Sequence, residues 1–279
     1  AAAIVPGAAA ALGAKPLPSA LVPKLCITEI PAGEQLFHKE LGPDPEAVDS
    51  AICTYFQCGP CSVEQDSIID LLCQEVEREE GSCGDTGTPA LLSIMDKEAY
   101  AQLRTIEQLG YIVAVVPHSK WSVGGIRCLI QSVHSPTFLE ERLENFLSVF
   151  EETLANMPDE ELQEHVEGLV TKKLESDRNI DRSCQRIMNE VLGHTYEFER
   201  RKLEAAFIRK IDRAQLQAFY KTHLSVKSAT RRRFSSHVVG KAAVDAGSEA
   251  AVTPQSKGKA PLRLLPRFRP SPKAPTHPA

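Results

Sequence analysis

Between residues 21 and 240 the apolar positions change their period in an informative order. Three short runs of β character come first: LCITEI, then QLFHKEL after the turn at Pro31-Ala32-Gly33, then SAICTYFQ. In the last of these Ile52, Thr54 and Phe56 fall on one face, because successive strand side chains point to opposite sides. The spacing then becomes helical. Ile68, Ile69, Leu72, Cys73 and Val76 form a stripe, and Ser62 with Gln65 three residues on predicts a capping box at its start. Residues 77–97 begin polar and glycine-rich and read as a loop or insertion. A short helix over 99–109 is expected to end at Gly110, a residue suited to a helix C-cap, and to lead into a buried strand over 111–116. A turn over 118–125 joins that strand to a second one, 126–131, as in a hairpin.

Ser135-Pro136 supplies the N-cap and first position of a long helix with Leu139, Leu143, Phe146, Leu147, Phe150 and Leu154 on one face. Three more stripes follow. They are Leu162, Val166, Leu169, Val170 and Leu174; then Ile180, Cys184, Ile187 and Val191; then Leu216, Phe219, Tyr220 and Leu224, capped by Asp212 with Gln215. A strand over 233–239 closes the series. This order lacks the regular alternation of a parallel doubly wound sheet. It predicts an α+β domain, a largely antiparallel sheet with helices packed on one face.

Composition adds the flanks. Of 279 residues, 42% are hydrophobic and 25% charged, which argues against collagen-like and wholly disordered chains. Residues 1–20 are rich in Ala and Pro, and residues 241–279 form a basic, Pro-rich tail; both are expected to be disordered beside a domain over 21–240. The tail holds seven Lys/Arg against two Asp/Glu, so the net charge of −5 divides into about +5 there and −10 elsewhere. Phe268 is the tail's one aromatic residue and the body is acidic, so no nucleic-acid partner is expected. Residues 1–14 are the longest apolar stretch, broken by Pro6 and short of the roughly 20 residues a bilayer needs. No membrane partner is expected. The start of the chain, with no Met and no basic presequence, suggests a fragment or a translated gene prediction. Eight cysteines without a secretion signal suggest reduced thiols and a cytoplasmic setting.

Three constellations offer chemistry. A hydrolytic zinc site on a helix needs His and carboxylate ligands on one face, and neither HExxH nor HxxEH occurs. Glu161, Glu164 and His165 have the spacing of the inverted motif with Glu in place of the first His, and Glu161, Glu164 and Glu167 read as the solvated face of an amphipathic helix. Cys58-Gly-Pro-Cys61 has redox spacing between a strand and a helix, where the helix dipole would lower the Cys58 pKa. Gln57 and Ser62 are not the usual neighbours of such a pair, and a plain Gly-Pro turn is the competing reading. The third is LRTIEQLGY, which places Arg104 and Glu107 on the last turns of a helix and Tyr111 at the start of a strand. An Arg and a phenol aimed into one cleft both donate hydrogen bonds to a carbonyl or an oxyanion. A salt-bridged Arg and a packed Tyr is the bland alternative.

LRTIEQLGYIV, the hairpin ending in Ile130-Gln131-Ser132, FLEERLENFL, the helical run and SSHVVG together resemble the C-terminal domain of the insulysin/nardilysin branch of pitrilysin-type zinc peptidases, over about residues 46–240. The resemblance implies one of four homologous α+β domains, arranged as two bowl-shaped halves around a chamber that admits unfolded peptides. It implies that zinc and the HxxEH helix belong to the first domain, and that the fourth faces them with an Arg and a Tyr that contact the peptide. By that resemblance Arg104 and Tyr111 bind substrate and support the transition state, with Glu107 and Gln108 as secondary candidates. The hydrolysis so implied uses a zinc-bound water and a helix-borne Glu, both outside this chain. The domain is then expected to bind no metal, to be inactive alone, and to act on peptides with a zinc-bearing N-terminal half. A thiol oxidoreductase using Cys58 and Cys61, and a non-enzymatic peptide-binding module, are the other two readings. The chain departs from the family pattern at Ile106, where Lys is usual, in the extra residues 77–97, in the missing Trp near Ile187 and Met188, and at Phe234-Ser-Ser-His-Val, where VSVHV is usual.

Overall fold

Strand β3 (Ser50–Pro60) alternates as its sequence predicts: Ile52, Thr54 and Phe56 are fully buried, while Ala51, Cys53 and Tyr55 are half-buried. It is the central strand of a five-stranded sheet in a computed structural model that describes residues 26–73, 93–119, 123–193, 195–247 and 263–266. β5 (Val123–Ser132) and β6 (Arg233–Val239) flank β3, both antiparallel to it. β4 (Ile112–Pro117) pairs antiparallel with β5, and β2 (Gln35–Leu41) runs parallel to β6, giving the order β2-β6-β3-β5-β4. A separate two-stranded pairing joins β1 (Cys26–Glu29) to β7 (Arg263–Pro266).

Helices cover the face that carries Ile52, Phe56, Ile126 and Ile130. The helices of the described residues are α1 (Val63–Cys73), α2 (Ile94–Ala99), α3 (Pro136–Asn156), α4 (Asp159–Leu174), α5 (Ile180–Gly193), α6 (Arg200–Ile208), α7 (Arg213–His223) and α8 (Lys241–Asp245). The long helix α3 lies against β3 and β6 and against α7. Its six predicted apolar positions are all at most 3% exposed, and Ser135 caps it as expected. Truncating any of these Leu or Phe side chains to Ala would cost about 2–5 kcal/mol. The interface has a polar part that apolar periodicity does not reveal. Glu140 and Glu144 of α3 face β6: Arg233 pairs with both, Arg231 with Glu144 at 3.0 Å, and Ser235 and His237 reach Glu140 at 2.7 and 2.6 Å. Buried charges persist here because each has an opposite charge in contact.

The α+β architecture with a largely antiparallel sheet matches expectation, and several local details differ. At α7 the Asp212–Gln215 capping box closes both ways. At α1 only half of it forms, because Gln65 Nε2 donates to the Gly59 carbonyl instead. The helix expected over 99–109 begins at Ile94, inside the segment read as a loop over 77–97. The apolar stripe of α5 does not reach the core: Ile180 is 77% and Ile187 43% exposed. That helix is held from its charged side, where Asp177 accepts from Ser183 and Arg186. Of the tail expected to be disordered, residues 241–245 form α8 and residues 263–266 form β7. Residues 1–20, 74–92 and the rest of the tail lie outside the described residues.

Candidate functional site

The candidate site is built where α2 meets β4. Ile94, Met95 and Ala99 anchor α2 in the core, and Asp96 Oδ1 accepts from the Val115 N–H at 2.8 Å, tying the helix to the strand. After Ala99 the helix widens into π-helical turns over Tyr100–Ile106. The Glu107 N–H donates to the Gln102 carbonyl five residues back, and the Leu109 N–H reaches Leu103. Buried Leu103 holds the wide turn to the core. The chain then reverses through Gln108, whose φ of 52° is left-handed. The residue expected to end the helix, Gly110, serves a different purpose. A Cβ there would lie 1.8 Å from the Gln131 carbonyl oxygen, so only glycine lets this segment cross the end of β5. The Ser132 hydroxyl donates to the Leu109 carbonyl and fixes that crossing.

On this platform the Arg104 guanidinium lies over two rings, 4.7 Å from the Tyr100 centroid and 5.1 Å from that of Tyr111. Each such contact is worth about 0.5–1 kcal/mol at an exposed site. Tyr111 is 61% exposed and Tyr100 44%, so the cluster faces solvent. Glu107 points elsewhere. Its carboxylate takes Nε and Nη2 of Arg142 on α3 at 2.7 and 2.8 Å and Gln102 Nε2 at 2.7 Å. The Arg142 hydrogen bonds hold its pKa below the usual carboxylate range. The structure therefore brings Arg104 and Tyr111 together, gives Glu107 a bracing position, and leaves Gln108 exposed as the residue of the reversal. Tyr100 is a member of the cluster that the motif LRTIEQLGY does not contain. Its signal in the sequence is its place four residues before Arg104 on one helix face.

The other constellations fare differently. β3 passes a bulge between Gln57 and Gly59 and runs on to Pro60, and α1 starts only at Val63. Cys58 is thus a strand residue, 5% exposed, and burial pushes its thiol up. Burial, followed by the Asp66 carboxylate, pushes Cys61 up to about 12. These shifts run against the lowered Cys58 pKa expected from the helix dipole, and a reactive pair needs the opposite direction. Glu161 lies 3.9 Å from Lys97, and His165 is buried in α4. Among the described residues no group of three His, Cys, Asp or Glu could hold a metal ion. A cleft of about 470 Å³ lies between α4, α5 and α6. Its Lys173, Arg186, Arg200 and Arg201 are paired with Asp70, Asp177, Glu190 and Glu204, and none of the predicted site residues lines it. No helix among the described residues is long and apolar enough to cross a membrane.

Comparison with known proteins places this geometry. The crystal structure of pitrilysin matches with a TM-score of 0.65, at 19% identity, over 94% of this chain and 26% of that one. A peptidase M16 inactive domain from Pseudomonas fluorescens matches with 0.52, at 18% identity, over 85% and 50%. The fold is that of a pitrilysin-type α+β domain. The family described as PQQ synthase PqqF-like, C-terminal lobe domain 4, matches residues 90–188, which include Arg104 and Tyr111. Insulin-degrading enzyme of Drosophila melanogaster is 32% identical over 185 residues, 66% of this chain and 17% of that protein. The Homo sapiens enzyme is 28% identical over 187 residues, 67% and 16%. Together these matches support a C-terminal domain of an M16 insulysin-like peptidase. The chain spans 16–17% of the length of these two curated relatives.

Proposed function

We propose that residues 21–240 form one wall of the substrate chamber of an insulysin-like zinc endopeptidase. In this reading Arg104 and Tyr111 hydrogen-bond a peptide near the bond to be cleaved, while zinc and the general base come from an N-terminal half. The observation that carries the reading is the Arg104 guanidinium, packed against two exposed phenols on a braced turn, with no ion-pair partner among the described residues. A guanidinium and a phenol are both donors suited to a substrate carbonyl or an oxyanion. The diversion of Glu107 to Arg142 supports it further, since a carboxylate beside Arg104 would quench the cation and repel an oxyanion.

The test is peptide hydrolysis by the purified chain, alone and mixed with a zinc-bearing half of an insulysin relative. The chain alone is expected to give no chelator-sensitive hydrolysis. In the mixture Tyr111→Phe is expected to lower turnover about 100-fold, the usual effect of deleting one oxyanion donor. Chelator-sensitive peptidase activity of the chain by itself would overturn the proposal. A non-enzymatic peptide-binding module would keep its peptide affinity and give no turnover in any mixture.

A further inference from the structure

Arg104 is a half-buried cation whose donors are unspent. The ring contacts with Tyr100 and Tyr111 consume none of its five N–H groups, and no described acceptor takes one. The nearest carboxylate in sequence, Glu107, is engaged elsewhere. Glu107 has both oxygens engaged by Arg142 and Gln102, and Asp96 already accepts from the Val115 N–H. The two rings also restrict the guanidinium, so less freedom is lost when it is engaged. The exposed rings of Tyr100 and Tyr111 flank it with apolar surface, where a charge pair is less screened than in open water. A single peptide carbonyl would satisfy one or two donors and leave the charge unneutralised. A group with two coplanar anionic oxygens matches the fork and the charge together.

We infer that Arg104 reads a carboxylate, carried by an acidic side chain or by the C-terminus of a bound peptide, with Tyr100 as the residue that positions it. This rests on the peptide-binding reading above and names the substrate class within it.

The experiment measures binding of three short peptides to the 279-residue chain at low salt, by calorimetry. One has blocked ends and a central Glu; the second has Gln instead; the third is the Gln peptide with a free C-terminal carboxylate. The Glu peptide, the free acid or both are expected to bind about tenfold more tightly than the blocked Gln peptide, and which of them does so identifies the source. Arg104→Gln is expected to erase the preference, with all three peptides binding alike and no more tightly than the blocked Gln peptide binds wild type. Arg104→Lys keeps the charge without the fork and should retain about a third of the preference. Tyr100→Leu should narrow it similarly with an unchanged melting temperature. Equal affinity for all three peptides, or a preference that survives Arg104→Gln, overturns the inference and leaves peptide binding standing. No binding of any of them overturns both.

Discussion

Glu107 grips Arg142 with both carboxylate oxygens, at 2.7 and 2.8 Å, across 35 positions of sequence. That bond braces the wide turn against α3, and it also keeps the nearest carboxylate of the LRTIEQLGY segment away from Arg104. Glu107→Gln is expected to lower stability by about 1–3 kcal/mol at pH 7, read as a shift in the urea midpoint. Because the folded pKa of Glu107 is depressed, its stabilising share is present above the unfolded carboxylate pKa of about 4.3 and is lost as pH falls through the folded value. The gap between wild type and variant should therefore close in acid. A gap that stays constant down to about pH 2 would contradict the assignment.

Gly110→Ala tests the crossing over β5. The added methyl carbon would lie 1.8 Å from the Gln131 oxygen and 2.8 Å from its carbonyl carbon, and both are backbone atoms that cannot swing aside. A loss of at least about 2 kcal/mol is expected in denaturant titration. The neighbouring Gln108→Gly should be neutral or slightly stabilising, since a left-handed φ suits glycine.

Asp66 supplies a pH dependence of opposite sign. Burial raises its carboxyl to about 6, although Arg200 lies 3.3 Å away, and Oδ1 is buried without a hydrogen-bond partner among the described residues. The folded chain holds this proton at higher pH than the unfolded one. Its contribution is fully present below about pH 4 and is lost as pH rises through 6. Wild type should gain stability relative to Asp66→Asn between about pH 7 and pH 4. Parallel profiles for the two proteins would show that the carboxyl titrates normally.

Thiol labelling of the native protein separates the described cysteines by burial. Cys184 on α5 is exposed and should react first. Cys58, Cys73 and Cys128 are buried, and should label only at the rate of global unfolding. Fast labelling of Cys58 would revive the redox reading.

The order of elements and most of the core were legible because they follow from period. The stripes from Leu139 to Leu154 and from Leu216 to Leu224, and the alternation at Ile52, Thr54 and Phe56, need only side-chain direction. Arg104 and Tyr111 were legible as a pair because one short motif carries both. The features that stayed hidden depend on partners distant in sequence or on backbone hydrogen bonding. Glu140 and Glu144 lie beside Leu139 and Leu143, where a helical wheel assigns them to solvent, yet Arg231, Arg233 and His237 meet them across about ninety residues. The stripe on α5 is real, and no described element covers it. The widening at Tyr100 leaves no compositional trace, because α- and π-turns use the same residue types and differ in which carbonyl each N–H selects.

That widening gives the site an unusual vulnerability. Tyr100–Ile106 closes each turn over five residues, where the helix before it uses four. Losing one residue, such as Ala101, would let the helix close normally and rotate the downstream residues by about 100° about its axis. Arg104 would leave both phenol rings with every recognisable side chain still in the chain. Among relatives, then, the number of residues between Tyr100 and its arginine should predict function better than the presence of either one.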